Sequence, residues 1–313
     1  MDAGVSVARQ AAPAARTAQV PDFERWARDE LAAVEQALET WVPADAPAGL
    51  GEAMRYGVLD GGKRLRPLLV LAACAAVDGD RAAALRAAVA VELIHAYSLV
   101  HDDMPCMDDD VMRRGKPTVH VRYGQAQAML AGDAMQALAF EVLTPDSGLA
   151  PALQARLVAL LARAAGHAGM AGGQAIDLAS IGQRLSESQL RDMHRRKTGA
   201  LLQASVLMGA ACGSAPAAVQ AALGDYGAAV GLAFQVVDDI LDCTQASETL
   251  GKTAGKDQEH DKPTYVSLLG LDGARREAEA LRRQAHAALA QSGLGDAAAL
   301  LALLADKVVE RDN

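Results

Sequence analysis

The chain has 313 residues and a formal net charge of −9, and 51% of its residues are hydrophobic although only 3% are aromatic. The isoelectric point near 5.3 argues against nonspecific nucleic-acid binding, which requires a basic face. The four cysteines are scattered without metal-ligand spacing, which favours a reduced, cytoplasmic compartment. No uninterrupted run of about 18 apolar residues predicts a membrane span.

Ala and Leu dominate the apolar runs, and both are strong helix formers, so the sequence predicts an all-α chain. Residues 1–20 are expected to form a disordered tail ahead of a single helical domain over 21–313. The first helix should begin after Asp22, its cap, and run to about Val42. Further helices are predicted up to Gly61-Gly62 and then over about 64–77, 81–103, 120–143, 151–168, 186–211, 217–243, 273–290 and 296–311. The helix over 81–103 is apolar on most faces and should lie centrally.

The first of two acidic clusters places five carboxylates in the nine positions from Asp102 to Asp110. It follows an apolar helix, whose C-terminal end already carries partial negative charge, so cations are needed to neutralise it. Asp102 and Asp108 would point about 120° apart on an ideal helix. Pro105 lies between them and should distort the helix enough to bring Asp108 alongside Asp102.

The second acidic cluster runs from Phe234 to Asp242, and Asp238 and Asp242 share one helix face at i and i+4. Two carboxylate pairs on apolar helices suit a hard cation, and magnesium prefers a few carboxylates together with water and substrate phosphates. A solvated helix end is the alternative for each cluster taken alone. A calcium loop fits poorly, because the spacing and the glycine of an EF-hand are missing.

The chain has 23 arginines but only 7 lysines, so the positions of the lysines are informative. Six lysines lie in four segments: Lys63 beside Arg66, Lys116 after Arg113-Arg114, Lys197, and a loop with Lys252, Lys256 and Lys262. Lys63 and Arg66 are expected at i and i+3 where a helix begins, and the backbone donors there also attract an anion. Each basic residue alone would be a surface residue. Together with the acids, they predict a diphosphate–metal site that opens onto an apolar cavity.

Five motifs follow one another over about residues 50–270. They are Gly-Gly-Lys-Arg-Leu-Arg-Pro (61–67), Asp-Asp-x4-Asp (102–108) with Arg-Arg-Gly, Gly-Gly-Gln (172–174), Lys-Thr-Gly (197–199) and Phe-Gln-x-x-Asp-Asp-x-x-Asp (234–242) with downstream lysines. In this order they resemble the short-chain trans-prenyltransferases, and specifically bacterial farnesyl diphosphate synthases. The resemblance implies one prenyltransferase domain, a helical bundle of the isoprenoid synthase type with a central apolar cavity. It also implies a homodimer.

The resemblance further implies a role for each motif. The residues that would hold isopentenyl diphosphate are Gly62, Lys63, Arg66, His95 and Arg114. Those that would bind magnesium bridging the allylic diphosphate are Asp102, Asp108 and Asp238, with Asp103, Asp239 and Asp242 close by. Those that would contact that diphosphate are Arg113, Lys197, Lys252 and Lys262. Thr198 and Gln235 would turn oxygen dipoles toward the developing allylic cation, and three magnesium ions are expected per site, with manganese as an alternative.

Two of these positions have a plainer alternative. A lone histidine on an apolar helix, such as His95, is usually a satisfied core residue. Tyr97 lies five residues before Asp102, about 7.5 Å along the helix axis, where its ring could floor the tail pocket or simply belong to the core. In the resembling family, an aromatic residue here and the two-residue insertion in the first acidic motif imply a C15 product, farnesyl diphosphate.

Three other functions compete with this interpretation. A geranylgeranyl or longer-chain synthase differs only in product length. A class I terpene cyclase shares the acidic clusters but has less need of Lys63, Arg66 and Arg114. A non-enzymatic subunit that regulates a related synthase would be expected to lose acidic motifs, and both are intact here.

Overall fold

The computed structural model describes residues 22–59, 61–244 and 263–311, and α-helices form nearly all the regular structure of that part. The all-α prediction is confirmed. The helices are α1 (Phe23–Trp41), α2 (Leu50–Val58), α3 (Leu65–Ala76), α4 (Arg81–Asp102), α5 (Val119–Tyr123), α6 (Gln125–Leu143), α7 (Pro151–Ala165), α8 (Met170–Ala179), α9 (Glu187–His194), α10 (Ala200–Ala211), α11 (Ala217–Thr244), α12 (Tyr265–Ser292) and α13 (Ala299–Glu310). The predicted tail, 1–20, lies outside the described residues.

Local chemistry sets several helix ends. Asp22 caps α1, as predicted, by accepting a hydrogen bond from the Arg25 N–H at 3.2 Å. Asp80 caps α4 in the same way, with the Ala82 N–H at 2.8 Å. Gly124, with φ at +89°, separates α5 from α6, so the helix predicted over 120–143 is divided in two.

The core is built around α4, which is buried on most of its faces, as predicted. One apolar cluster surrounds α4 and a second surrounds α11, α12 and α13, while α3 and α10 contribute to both. These two helices approach closely at Gly209 of α10, where a Cβ atom would lie 2.1 Å from the Val70 carbonyl oxygen. The small residues of this Ala-rich chain thus allow tight helix packing.

Two helices in the described part, α4 and α11, are long and apolar enough to cross a membrane by length and composition. Within those stretches, 67% of α4 and 50% of α11 are buried inside the protein. Central helices of a helical core meet the same two criteria, and α4 and α11 both have extensive buried faces.

Two predictions missed helical residues. Helix α8 was not predicted because the glycines near Gly173 suggest a loop, yet a Cβ at Gly173 would lie 2.1 Å from the Lys197 backbone nitrogen. Glycine is therefore needed there for close packing rather than for a turn. Helix α12 begins at Tyr265, before the predicted start at 273, and it is kinked at Gly270, which has φ at +70°.

Residues Arg195–Gly199 form a π-helical segment that joins α9 to α10 without a break. A helix was predicted over 186–211, and this part of it proves to be a widened turn. Such turns are rare and often occur at functional sites. Helix α8 packs against the π-helical segment at Gly173.

Candidate active site

A cavity of about 560 Å³ lies between α4, α8, the π-helical segment and α11. Asp102 lines it from α4 and Asp238 lines it from α11, so both acidic clusters face the same cavity. Apolar side chains such as Met107, Met170 and Leu178 contribute to the same wall. The cavity is therefore largely apolar, and one aspartate of each predicted pair lines it.

The first acidic cluster leaves the helix at Asp102, where α4 ends. The chain then turns back, and the Asp108 N–H donates to the Asp102 carbonyl oxygen at 2.8 Å, so the two aspartates lie side by side as predicted. Loss of solvation raises the pKa of the Asp102 carboxyl to about 6, and the Asp108 charge adds to that rise while Lys197 opposes it.

Asp103 has a different environment from Asp102. It is buried and forms a two-pronged ion pair with Arg113, whose Nε and Nη2 donate to its carboxylate at 2.9 and 2.6 Å. Arg113 belongs to a short hairpin of two strands, Met112–Arg113 and Lys116–Pro117, turned at Arg114 and Gly115, which both have positive φ. The hairpin brings Arg113 and Arg114 to the cavity.

The second acidic cluster stays within the helix α11. Asp238 accepts a hydrogen bond from Arg311 Nη2 at 2.5 Å, and the Arg311 guanidinium lies 4.0 Å from the Phe234 ring centre. Asp239 is buried and accepts from Gln235 Nε2 at 2.9 Å and from the Tyr265 N–H at 2.7 Å. Asp242 is also buried.

The π-helical segment presents Lys197 and Thr198 to the cavity. Lys197 Nζ forms an ion pair with Asp177 Oδ2 of α8 at 2.5 Å, and Thr198 Oγ1 donates to Gln235 Oε1 at 2.9 Å. Both residues were predicted to turn oxygen dipoles toward the cation. Thr198 lines the cavity, whereas Gln235 lies behind it, against a smaller polar space. Asp177 was not predicted, although it lies three residues after the Gly-Gly-Gln motif.

Most of the residues expected to hold isopentenyl diphosphate lie together. Arg66, His95 and Arg114 line the cavity, and burial, followed by the positive charges of Arg66 and Arg114, lowers the pKa of His95 well below its usual value. His95 therefore lies at the cavity in a basic environment. Burial and the Arg311 charge lower the pKa of Lys63, while Asp238 raises it, so Lys63 lies near the same rim.

The Gly-Gly loop differs from its prediction. Helix α3 begins at Leu65, because Arg64 has φ at +46°, so Lys63 lies before the helix and not on its first turn. The Arg64 guanidinium is buried and pairs with Glu35 at 2.7 Å and Glu92 at 2.6 Å, which anchors the loop. Gly62 allows close approach of Arg114, since a Cβ there would lie 2.8 Å from Arg114 Nη2.

Tyr97 lies inside the cavity wall and is 8% exposed. Its hydroxyl accepts from Gln136 Nε2 of α6 at 3.4 Å, and its ring packs edge-on against His101 at 5.8 Å. His101 in turn lies against Gly132 of α6, where a Cβ would approach His101 Nε2 to 2.0 Å. The Tyr97 side chain is thus part of the cavity wall and contacts Gln136 of α6.

No three His, Cys, Asp or Glu side chains come together as a closed metal site in the described part of the chain. Magnesium does not require one, because it keeps waters and binds one or two carboxylates with substrate phosphates. Asp102 fits this use, since its carboxylate is poorly solvated and its pKa is raised. A cation held between Asp102, Asp108 and Asp238 would add positive charge to this side of the cavity.

Lys252 and Lys262 fall outside the described residues. Sequence reasoning missed Arg311, Asp177, Arg64 and Gln174, of which the last lines the cavity with both polar atoms buried and unpaired in the described structure. The Gly-Gly-Gln motif marked Gln174, and the Arg within Gly-Gly-Lys-Arg marked Arg64. No sequence signal marks Arg311, which reaches Asp238 from 73 residues away.

Comparison with known proteins agrees with this geometry. The sequence profile of the family described as Polyprenyl synthetase matches residues 47–299. Geranylgeranyl pyrophosphate synthase 9, chloroplastic, of Arabidopsis thaliana is 49% identical over 289 residues, which cover 90% of this chain and 80% of that protein.

Two solved structures are also similar. An FPP/GFPP synthase from Zymomonas mobilis superposes with a TM-score of 0.83 and 41% identity, covering 92% of this chain and 99% of the other. A geranyltransferase from Helicobacter pylori, complexed with magnesium and isoprenyl diphosphate, gives a TM-score of 0.81 and 32% identity, covering 93% and 97%.

The helical bundle and the two facing acidic clusters therefore define a trans-prenyltransferase of the isoprenoid synthase fold, an enzyme that condenses isopentenyl diphosphate with allylic diphosphates. Within that class, the chain belongs to the polyprenyl synthetase family.

Proposed function

We propose that the protein is a farnesyl diphosphate synthase, which joins isopentenyl diphosphate to dimethylallyl diphosphate and then to geranyl diphosphate. One observation carries the proposal: Asp102 and Asp238, from two separate helices, line the same cavity as Arg66 and Lys197. Carboxylates in this arrangement suit a divalent cation that also binds a diphosphate, and the basic side chains suit the remaining phosphate oxygens.

In this proposal, the isopentenyl diphosphate binds to Arg66, Arg114, Lys63 and His95 at the basic rim of the cavity. Arg66 and Arg114 would bind the diphosphate oxygens, and neutral His95 would donate one hydrogen bond without adding a charge that Arg66 already supplies. Gly62 keeps the Arg114 guanidinium close to the loop, which orients it before the substrate arrives.

The acidic side of the cavity would hold the allylic diphosphate. Magnesium ions, three per site with manganese as an alternative, would neutralise the departing diphosphate when bound. Lys197 and Arg113 would add positive charge to the same oxygens, and Thr198 would turn its oxygen toward the cation left behind. The apolar wall near Leu178 excludes water, and the released diphosphate would accept the final proton.

The direct test is an assay with isopentenyl diphosphate and either dimethylallyl or geranyl diphosphate, with magnesium or with a chelator. We expect a longer isoprenoid diphosphate only when metal is present. Purified, folded protein that makes no longer product from both substrates and magnesium would refute the proposal. Cyclised hydrocarbon from farnesyl diphosphate alone would instead identify a terpene cyclase.

A C15 product is the finer part of the proposal, and its support is Tyr97. The Tyr97 ring lies in the cavity wall about 7.5 Å along α4 from Asp102, which leaves room for a limited tail. The Arabidopsis relative carries the name of a geranylgeranyl synthase and the Zymomonas structure that of an FPP/GFPP synthase. A longer product is therefore the alternative that product analysis must exclude.

Replacement of the ring tests this point. Tyr97→Ala should shift the main product from C15 to C20 or longer, because truncation of the side chain opens the floor of the tail pocket. Tyr97→Phe retains the ring volume and should leave the C15 product unchanged. Chromatography of the dephosphorylated alcohols gives the answer, and an unchanged C15 product from Tyr97→Ala would remove the assignment.

We also propose that the enzyme is a cytoplasmic homodimer without a membrane span. Five of the seven large hydrophobic side chains that are exposed in the described structure lie between residues 111 and 130: Val111, Met112, Val121, Met129 and Leu130. Such clustering supports an interface on α5 and α6. Light scattering should give a dimer for the wild type and a smaller species for Leu130→Glu, and a wild-type monomer at all concentrations would contradict the proposal.

A further inference from the structure

A chain of hydrogen bonds leads from the cavity wall into the protein beside α12. Thr198 Oγ1 donates to Gln235 Oε1 at 2.9 Å, and Gln235 Nε2 donates to Asp239 Oδ1 at 2.9 Å. The other carboxylate oxygen, Asp239 Oδ2, accepts from the Tyr265 backbone N–H at 2.7 Å. Thr198 lines the cavity, whereas Asp239 is 3% exposed and lines a separate polar space of about 70 Å³ with His194 and Lys197.

The charge of Asp239 fixes the direction of every hydrogen bond in this chain. An ionised carboxylate only accepts, so Gln235 must turn its NH₂ group to Asp239 and its oxygen to Thr198. Thr198 must then donate its single hydroxyl hydrogen to Gln235. The lone pairs of Thr198 Oγ1 are left to face the cavity.

The geometry of α11 explains why adjacent aspartates differ. Consecutive residues of an α-helix point about 100° apart, so Asp238 faces the cavity while Asp239 faces the start of α12. Tyr265 is the first residue of α12, and its N–H has no partner within that helix. Asp239 satisfies this donor and is stabilised by the helix dipole, so its carboxylate is held in place from the side opposite to Gln235.

We infer that Asp239 is a positioning residue and not a magnesium ligand: it orients Gln235 so that Thr198 presents oxygen lone pairs to the developing allylic cation. The inference rests on the proposed function, because that cation forms only in prenyl transfer. A fixed oxygen dipole in a cavity with little water stabilises a positive charge, whereas a reversed hydroxyl would direct its positive end at the cation.

The first test is Asp239→Asn, which is nearly isosteric. The oxygen of the introduced amide must still accept from the Tyr265 N–H, so its NH₂ group faces Gln235 and forces Gln235 to turn over. We expect kcat to fall on the order of 10²-fold, with KM for both substrates and the half-saturating magnesium concentration unchanged. Asp225→Asn, the same change at an exposed position on the same helix, should leave all four quantities unchanged.

The second test exchanges the charge between the two residues. In Asp239→Asn/Gln235→Glu, every donor again has an acceptor, and the hydroxyl of Thr198 again donates toward residue 235. We expect kcat to recover to within a few-fold of wild type. Each single variant should lower Tm by about 3 °C or more, and the double variant should regain most of that loss.

The results separate the alternatives. A rise of tenfold or more in half-saturating magnesium for Asp239→Asn, with kcat restored at high magnesium, would make Asp239 a metal ligand and overturn the inference. A double variant that regains Tm but not kcat, or that does not fold, would also overturn it, because the matched pattern should suffice. Inactive wild-type protein would refute the proposed function instead, while the Tm values would still report on the hydrogen-bond polarity.

Discussion

The two acidic clusters carry similar sequences but hold their carboxylates in different ways. In the first, α4 ends at Asp102, and the turn that follows places Asp108 beside it, with Asp102 poorly solvated in the cavity. In the second, α11 continues without a break, and Asp238 and Asp239 are each held by side chains or backbone from other parts of the chain. A turn of the backbone therefore brings the carboxylates of the first cluster together, whereas a regular helix positions those of the second.

This difference implies that the two clusters differ in their affinity for a metal ion. Asp102 keeps its charge poorly compensated, which favours a cation, while Asp238 is already paired with Arg311 in the absence of ligand. The first cluster should therefore contribute more to metal affinity than the second. Substitutions in and around the two clusters can test that ranking.

The largest effect is expected for Asp102→Asn. Loss of the carboxylate removes the poorly compensated charge that a metal-bound diphosphate requires, so kcat/KM should fall on the order of 10³-fold. Asp109→Asn is the matched control, because Asp109 is exposed and Asn also tolerates its φ of +49°. Steady-state rates that fall equally in both variants would show that general charge, not position, matters.

A large loss of stability is expected for Asp103→Asn. The substitution leaves the Arg113 guanidinium with only the more distant Asp110, at 4.0 Å, and loss of the buried Asp103 charge costs about 3 kcal/mol of the free energy of unfolding. Urea titrations measure the change, with the exposed Asp133→Asn on α6 as control. A loss below about 1 kcal/mol would mean that the pair does not hold the first cluster in place.

A smaller loss of stability is expected when the contact between His101 of α4 and Gly132 of α6 is altered. Gly132→Ala places a methyl group on His101 and should lower the free energy of unfolding by about 2 kcal/mol through overpacking. Gly224→Ala on α11 meets only Leu207 at 3.6 Å, so this control should leave stability unchanged or raise it. Equal effects of the two variants would contradict the tight contact between α4 and α6.

The smallest effect is expected at Arg311. Its ion pair with the partly exposed Asp238 competes with a cation, so Arg311→Gln should lower the half-saturating magnesium concentration by about threefold. Arg311→Lys keeps the charge and should behave like the wild type. Titration of the activity with magnesium measures this concentration. A higher magnesium requirement for Arg311→Gln would contradict the greater contribution of the first cluster to metal affinity.

Much of the fold could be predicted because it depends on local chemistry. Asp22 as a cap, the end of α3 before Asp78 and the apolar faces of α4 all follow from the residues themselves. Helix α8 could not be predicted in this way, since Gly173 suggests a loop unless the backbone of Lys197 is known to lie against it. Only contacts with distant parts of the chain show whether a glycine forms a turn or allows close helix packing.

The site shows the same division. The acidic and basic motifs were sufficient to predict one shared site, and Asp102, Asp238, Arg66 and Lys197 do line one cavity. The motifs could not reveal that Asp103 would pair with Arg113 or that Arg311 would reach Asp238, because both contacts depend on how distant segments return to the site. The sequence shows which charged residues belong to motifs, but only the folded structure shows which of them form ion pairs with one another.

The π-helical segment also makes the number of residues between α9 and α10 critical. An α-helix turns by about 100° per residue, so loss of one residue between Arg195 and Gly199 would rotate α9 against α10 by that angle. His194, which stacks on Tyr265 of α12, and Thr198, which faces the cavity, could then no longer both keep their directions. A substitution in this segment can leave both helices in their orientation, whereas the loss of one residue cannot.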